Sequence, residues 1–427
     1  MIYIRDVIDK KRRKEALTEE EISFFIYGYY KDEISEAQAA ALLTAMHIYG
    51  LSEKEMTYMI NAIAKTGEEL EFYRVSNKVT DIHSLGGISD KIILILISII
   101  NSLGLPSAKI IGRELGMEDR LIALPNYKIE ENVDSFKQQI TDNEIAVLRS
   151  LKNLAPVEEK LYKLRYTIAC DSNIQLIATS IMSQKIALGC SNIFFEITYG
   201  KNAYVKTLND AKVLSKNLIN IGNRIMRNVG CCVTSFNEPV GRSFGNLLEL
   251  KEVYDALSGN MSQDLKETVI KFGTNILRIS NFCKDSNKCR KLIFNTIYDG
   301  SALKSFERLI TSRGGDIELL KKDIKAQYIV PVISAESGYI EEVDVNKIRM
   351  LAKYLDAIRN NTSDQLDVGA GLVFSKKVGD KIENGGILGY VYTNNQTKIE
   401  NAVISMRNAF GITSKKPKLK PRIEYSI

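Results

Sequence analysis

Residues 81–91 read "DIHSLGGISDK" and run straight into an apolar stretch, "IILILISII", at 92–100. A strand-like segment, a Gly-containing turn and a helix start together form a cradle for an anion, because unpaired backbone N–H groups and the helix dipole converge there. The apolar run is about half of the roughly 18 residues a membrane span needs, so it reads as a helix buried inside a domain. Ile82 stands where a lysine would best meet the anion.

Outward from this stretch the same alternation recurs. "SAKIIGRELG" follows at 107–116, "SNIFFEITYG" comes at 191–200, and the latter leads into the helical pattern "TLNDAKVLSKNLINIGNRIM" at 207–226. Strand, turn and helix in alternation predict an α/β domain with a largely parallel sheet. Before it the chain is helical. Three capping boxes, Thr18 with Glu21, Ser35 with Gln38 and Ser52 with Glu55, each predict a helix start. The amphipathic piece at 173–188 has the character of this helical region, so a helical domain built from two separated segments is expected. Beyond about residue 328, "VGAGLVFSKKVGDKIENGGILGYVYT" alternates like strands joined by Gly-Asp and Asn-Gly turns. The expected organisation is α/β with a separate helical domain. Residues 1–66 and 160–189 form the helical domain, 72–156 and 190–326 the α/β domain with the Gly-rich loop, and 328–427 a C-terminal α+β domain.

Composition narrows the function classes. The 427 residues are 45% hydrophobic and 26% charged with a net charge of +6, which is ordinary for a globular chain and weak for a nucleic-acid binder. The densest basic run, "KKPKLKPR" at 415–422, lacks interleaved aromatics and reads as a solvated terminal segment. Six cysteines contain no CxxC pair and there are only two histidines, so reduced structural thiols are expected, with no metal and no cofactor. His47 reads as a helix-face residue. The N-terminal "MIYIRDVIDKKRRKEAL" is charged where a signal peptide needs an apolar centre, which predicts a cytoplasmic protein without a membrane partner.

Six pieces in order, "HSLGG", "GRELG", "LYKLRYT", "SIMSQKIALG", "GRSFGNLLELKEVYDAL" and "FSKKVGDKIENGG", resemble the thymidine and pyrimidine-nucleoside phosphorylases over nearly the whole chain. The resemblance implies the class II nucleoside phosphorylase architecture, a homodimer through the helical parts, and a pentosyltransferase that cleaves a pyrimidine nucleoside with phosphate. It further implies that the base is held by His83, Arg165 and Ser180. At the fourth base-binding position Gln184 replaces a lysine, and Lys185 follows it. Ser180 and Gln184 lie one helical turn apart and can face one ligand. Gln184 can donate to a carbonyl but supplies no charge, and charge-assisted bonds run about twice the strength of neutral ones. On the residues alone, the favoured reading is that Arg165 pairs with a surface carboxylate and Ser180 fills a helix face.

The phosphate half departs further from the family pattern Lys-His-Ser-Thr-Gly-Gly-Val-Gly-Asp. His83, Ser84, Gly86, Gly87 and Asp90 match it, whereas Ile82, Leu85 and Ser89 replace its lysine, threonine and third glycine. Ile93 and Ile111 stand where serines are expected, Thr198 replaces a lysine, and the segment after Gly112 lacks the family's "TGGT"-like residues. Glu114 and Glu118 add negative charge nearby, which would repel a dianion. Ser84, Gly86, Gly87, Ser89, Lys91, Arg113 and Lys201 remain as candidates around an anion, with Lys91 or Lys201 compensating by position. The expected partner is therefore a pyrimidine nucleoside, with phosphate or another acceptor. Three activities stay open: a divergent phosphorylase with weak phosphate use or another nucleophile, a catalytically silent homologue that binds a nucleoside or protein partner, and a pocket for a modified or phosphorylated nucleoside.

Overall fold

The computed structural model describes residues 1–72, 78–85, 90–111, 116–129, 132–149, 154–200, 203–359, 364–419 and 421–427. The chain opens with α1 (Ile4–Arg12), α2 (Glu19–Tyr30), α3 (Glu36–Tyr49) and α4 (Glu53–Ala64). All three predicted capping boxes are formed, each cap hydroxyl accepting from the third helical N–H while that residue's side chain returns to the cap. Glu55 serves twice: besides capping α4 it takes a buried ion pair from Lys11 at 2.7 Å and the Leu17 N–H at 3.0 Å. The helices are thereby locked to one another before any apolar packing is considered.

After α4 the sheet begins with β1 (Thr80–Leu85), followed by α5 (Asp90–Ser102), β2 (Ser107–Ile111), α6 (Gly116–Ile122), α7 (Val133–Asn143) and β3 (Ile145–Arg149). The chain then returns to the helical layer as α8 (Pro156–Thr167) and α9 (Ile174–Ala187) before resuming with β4 (Asn192–Tyr199), α10 (Leu208–Arg224) and β5 (Asn228–Ser235). Strands β1 to β5 pair in parallel, with β1 central between β4 and β2. Alternate strand residues serve opposite faces. Ile193, Phe195 and Ile197 join the core shared with the helical layer, whereas Ile82, Phe194 and Cys232 join the core around α5. Helix α5 is buried on every side, as its unbroken apolar run requires. It packs against α11 (Asn246–Leu257), α12 (Gln263–Ile279), α13 (Ser286–Tyr298) and α14 (Ser301–Thr311).

A short strand, β6 (Ser243–Phe244), precedes α11 and joins a four-stranded sheet with β7 (Tyr328–Ile333), β9 (Gly371–Phe374) and β11 (Ile387–Thr393). Strands β8 (Gly338–Val343), β10 (Lys381–Ile382) and β12 (Phe410–Thr413) form a second small sheet, and α15 (Val345–Tyr354) packs within this region's own core. The last strand, β13 (Ile423–Ser426), leaves that region and pairs antiparallel with β5, capping the large sheet. The end of the 415–427 segment is thus part of the α/β core, a placement its short sequence did not suggest. Arg422 lies there with its guanidinium 3.9 Å from Glu196, and burial lowers its pKa. All six cysteines are free and buried. No helix of the described residues is long and apolar enough to cross a membrane.

Candidate active site

Helices α8 and α9 bring together three of the residues expected at a base. Glu158 on α8 is almost fully buried and accepts from the Ser180 hydroxyl through Oε1 and from the Gln184 amide through Oε2, the latter at 2.8 Å. Arg165 is seven residues further along α8, hence on the same helix face. Its guanidinium stands 3.5 Å from Glu158 and donates to the Leu176 carbonyl at 2.7 Å. Ser180 and Gln184 keep part of their surface exposed while their partner does not, so they form the accessible lip of a buried polar cluster. Glu158 was not singled out from the sequence. Its spacing from Arg165 was the available signal.

Lys185 takes no part in this cluster. One residue beyond Gln184 it is rotated by about 100° around the helix, and its ammonium lies buried, 2.5 Å from Asp81 on β1. Lys109 approaches the same carboxylate at 3.8 Å. His83, two residues after Asp81 on the same face of β1, meets the Phe195 ring edge-on at 5.7 Å between centroids. Burial, then Lys185 and Lys109, hold its pKa well below the usual histidine range. His83 is therefore a neutral imidazole near pH 7, able to donate one hydrogen bond without carrying charge.

Ser84 points to the opposite face of β1. Its hydroxyl donates to Glu196 Oε2 at 2.9 Å, and Thr234 donates to Glu196 Oε1 at 3.0 Å. Lys91 sits fully buried in α5, where its ammonium donates to the Ser243 carbonyl and to Glu252 Oε2, each at 2.6 Å. These partners tie α5 to β6 and the middle of α11; they describe a structural ion pair in place of the compensating anion contact expected from Lys91's position. Gly86, Gly87, Ser89, Arg113, Glu114 and Lys201 lie outside the described residues.

Where the family pattern has polar groups, Ile82, Leu85, Ile93 and Ile111 are packed into the two main cores, and Thr198 is buried with its hydroxyl on the Leu85 carbonyl at 2.6 Å. The repulsion expected from Glu118 is offset, which corrects that expectation. Glu118 Oε1 lies 2.6 Å from Arg149 and 3.0 Å from Arg359. Arg359 follows α15 and also donates to Asp119 through its backbone N–H at 3.1 Å and its Nε at 2.6 Å. The neighbouring Arg120 forms a two-bond pair with Glu249, both bonds 2.8 Å. The acidic patch on α6 is thus a neutralised clasp between the α/β and C-terminal parts.

Similarity to known proteins converges on one class. Residues 5–67 match the glycosyl transferase family, helical bundle domain, and residues 76–303 match the glycosyl transferase family, a/b domain. Residues 339–413 match the pyrimidine nucleoside phosphorylase C-terminal domain. A helical layer, a mixed α/β body and a small C-terminal region in this order define a glycosyl transferase of that type. An anthranilate phosphoribosyltransferase from Thermus thermophilus shares the fold, with a TM-score of 0.58 at 14% identity over 72% of this chain and 98% of its own. The pyrimidine-nucleoside phosphorylase of Geobacillus stearothermophilus is 35% identical over 398 residues, 92% of either chain. That of Staphylococcus epidermidis is 33% identical over 417 residues, 96% of either chain. The chain belongs to the pyrimidine-nucleoside phosphorylase family.

Proposed function

We propose that the protein binds a pyrimidine nucleoside between α9 and the end of β1 and cleaves its N-glycosidic bond, with phosphate as a weakly held acceptor. The observation carrying this reading is the convergence of Arg165, Ser180 and Gln184 on Glu158, which sets the part-exposed Ser180 and Gln184 as a lip over the buried Arg165. As the bond breaks, the departing base gains negative charge while the sugar becomes oxocarbenium-like, and donors aimed at the base lower that barrier. Arg165 supplies the positive charge. Neutral His83 and the free amide N–H of Gln184 supply further hydrogen bonds. The apolar side chains at 82, 85, 93 and 111 offer an anion no donors, and each charge-assisted bond forgone is worth about 1.5–3 kcal/mol.

Base release from uridine, 2′-deoxyuridine and thymidine, followed with and without phosphate, tests the proposal. Release that saturates only at high phosphate and yields the sugar 1-phosphate is the expected result. Release independent of phosphate would make water the acceptor. No release from any pyrimidine nucleoside would leave a binding protein in place of an enzyme. The helical layer exposes Tyr3, Tyr30, Ile48 and Tyr49, large side chains that contact with a second copy of the chain would cover. A dimer mass in solution, lost on Ile48→Glu, is the corresponding expectation.

A further inference from the structure

We infer that Glu158 is a positioning residue that sets the hydrogen-bond polarity of the base pocket: it makes the α9 edge an acceptor and so selects a base whose facing ring nitrogen carries a proton. The inference rests on the proposed nucleoside site and adds to it the reason for one kind of ring edge.

The argument is a count of protons. An ionised carboxylate only accepts, and a serine hydroxyl has a single proton to give. Ser180 gives that proton to Glu158 Oε1, so the face it turns to the pocket carries lone pairs alone. Gln184 gives one Nε2 proton to Oε2 at 2.8 Å, which fixes which end of the amide is nitrogen and leaves its Oε1 and one N–H for a ligand. Two acceptors and one donor, one helical turn apart, therefore line this edge. Arg165, with its guanidinium 3.5 Å from the same carboxylate, balances the buried charge and contributes only donors. The complementary heterocycle offers a carbonyl to Arg165 and an adjacent N–H to α9. A lysine at 184 would instead pair with Glu158 as an ion pair and present donors alone. The glutamine thus changes the sign of the position as well as its charge.

Glu158 is buried and its two acceptor oxygens are both engaged, so Glu158→Gln is the near-isosteric probe. The new amide has one oxygen and two N–H groups; it cannot accept from both neighbours, and it returns to Ser180 a proton to donate. Calorimetric binding of uridine and of 3-methyluridine, which has a methyl in place of the N3 proton, reads the polarity directly. The intact protein is expected to bind uridine at least about tenfold more tightly than 3-methyluridine. In Glu158→Gln uridine affinity falls about tenfold while 3-methyluridine is nearly unaffected, so the preference collapses, with KM changing more than kcat in a turnover assay. A residue that merely supported the helix pair would weaken both ligands together. Should Glu158→Gln not fold, Ser180→Ala and Gln184→Met read the same preference from the other side. Unchanged preference in Glu158→Gln, or in both of those variants, overturns the inference while leaving the nucleoside site standing. Absence of binding of any pyrimidine nucleoside to the intact protein overturns the site itself.

Discussion

Replacing Lys91 by methionine tests whether the lysine of the Gly-rich segment is structural. Its ammonium is fully buried, with Glu252 Oε2 and the Ser243 carbonyl each 2.6 Å away. Methionine fills nearly the same volume, so packing is preserved and the change isolates the charge. It strands Glu252, and breaking a buried pair from one side costs about 3–5 kcal/mol. Glu252 keeps two other donors, the N–H groups of Arg242 at 2.6 Å and Ser243 at 3.1 Å, which places the cost at the lower end, about 3 kcal/mol. At roughly 2 °C per kcal/mol for a large chain, the melting midpoint in scanning calorimetry falls by about 6 °C. Adding Glu252→Gln to Lys91→Met removes the orphaned charge and restores more than half of the loss, whereas Glu252→Gln alone strands the ammonium and is itself destabilising. A Lys91→Met protein melting within about 1 °C of the original, or a double variant no better than the single one, would refute the reasoning.

Three further outcomes are expected. Gln184→Lys adds a positive charge at the departing base, partly cancelled by Glu158 beside it, and raises kcat for uridine cleavage about tenfold, some 1.4 kcal/mol; an unchanged or lower kcat in single-turnover measurements would count against the charge argument. His83 has a folded pKa below its unfolded one, so its neutral form contributes stability that is present above about pH 6.5 and is lost as pH falls towards the folded value; unfolding in urea at pH 7.5 and 5.5 should show a smaller acid-induced loss for His83→Gln. Arg359→Leu keeps the backbone N–H on buried Asp119, whose pKa burial already raises, but removes the guanidinium 2.6 Å from that carboxylate and 3.0 Å from Glu118; it costs about 3 kcal/mol at pH 7.5, with a deficit that shrinks as the Asp119 carboxylate protonates towards pH 5.

What the sequence discloses follows the range of the interactions. The capping boxes join a hydroxyl to a backbone N–H three residues on, and all three were readable. The run at 92–100 could be placed inside the α/β body because nothing polar interrupts it. The different faces of Gln184 and Lys185 were also legible in principle, since neighbouring helix positions diverge by about 100°. The carboxylates that organise the site were not. Glu158 meets Ser180 across 22 residues, Glu196 meets Ser84 across 112, and Glu252 meets Lys91 across 161. In each case the polar residue in the loop or helix was visible and its acidic partner was set by how layers stack. Glu118 shows the same gap in reverse: read alone it is a repulsive charge, and only the fold supplies Arg149 and Arg359.

The antiparallel strand laid on β5 has a consequence for how the molecule is made. Ser235 at the end of β5 bonds Arg422 across 187 residues of sequence, so that border of the sheet stays bare while everything between is being synthesised. A nascent chain with an uncovered ribbon of N–H and C=O groups is a template for pairing with its neighbours. Shortening the chain before Ile423 should therefore appear first as clumping during expression, ahead of any defect in the finished protein.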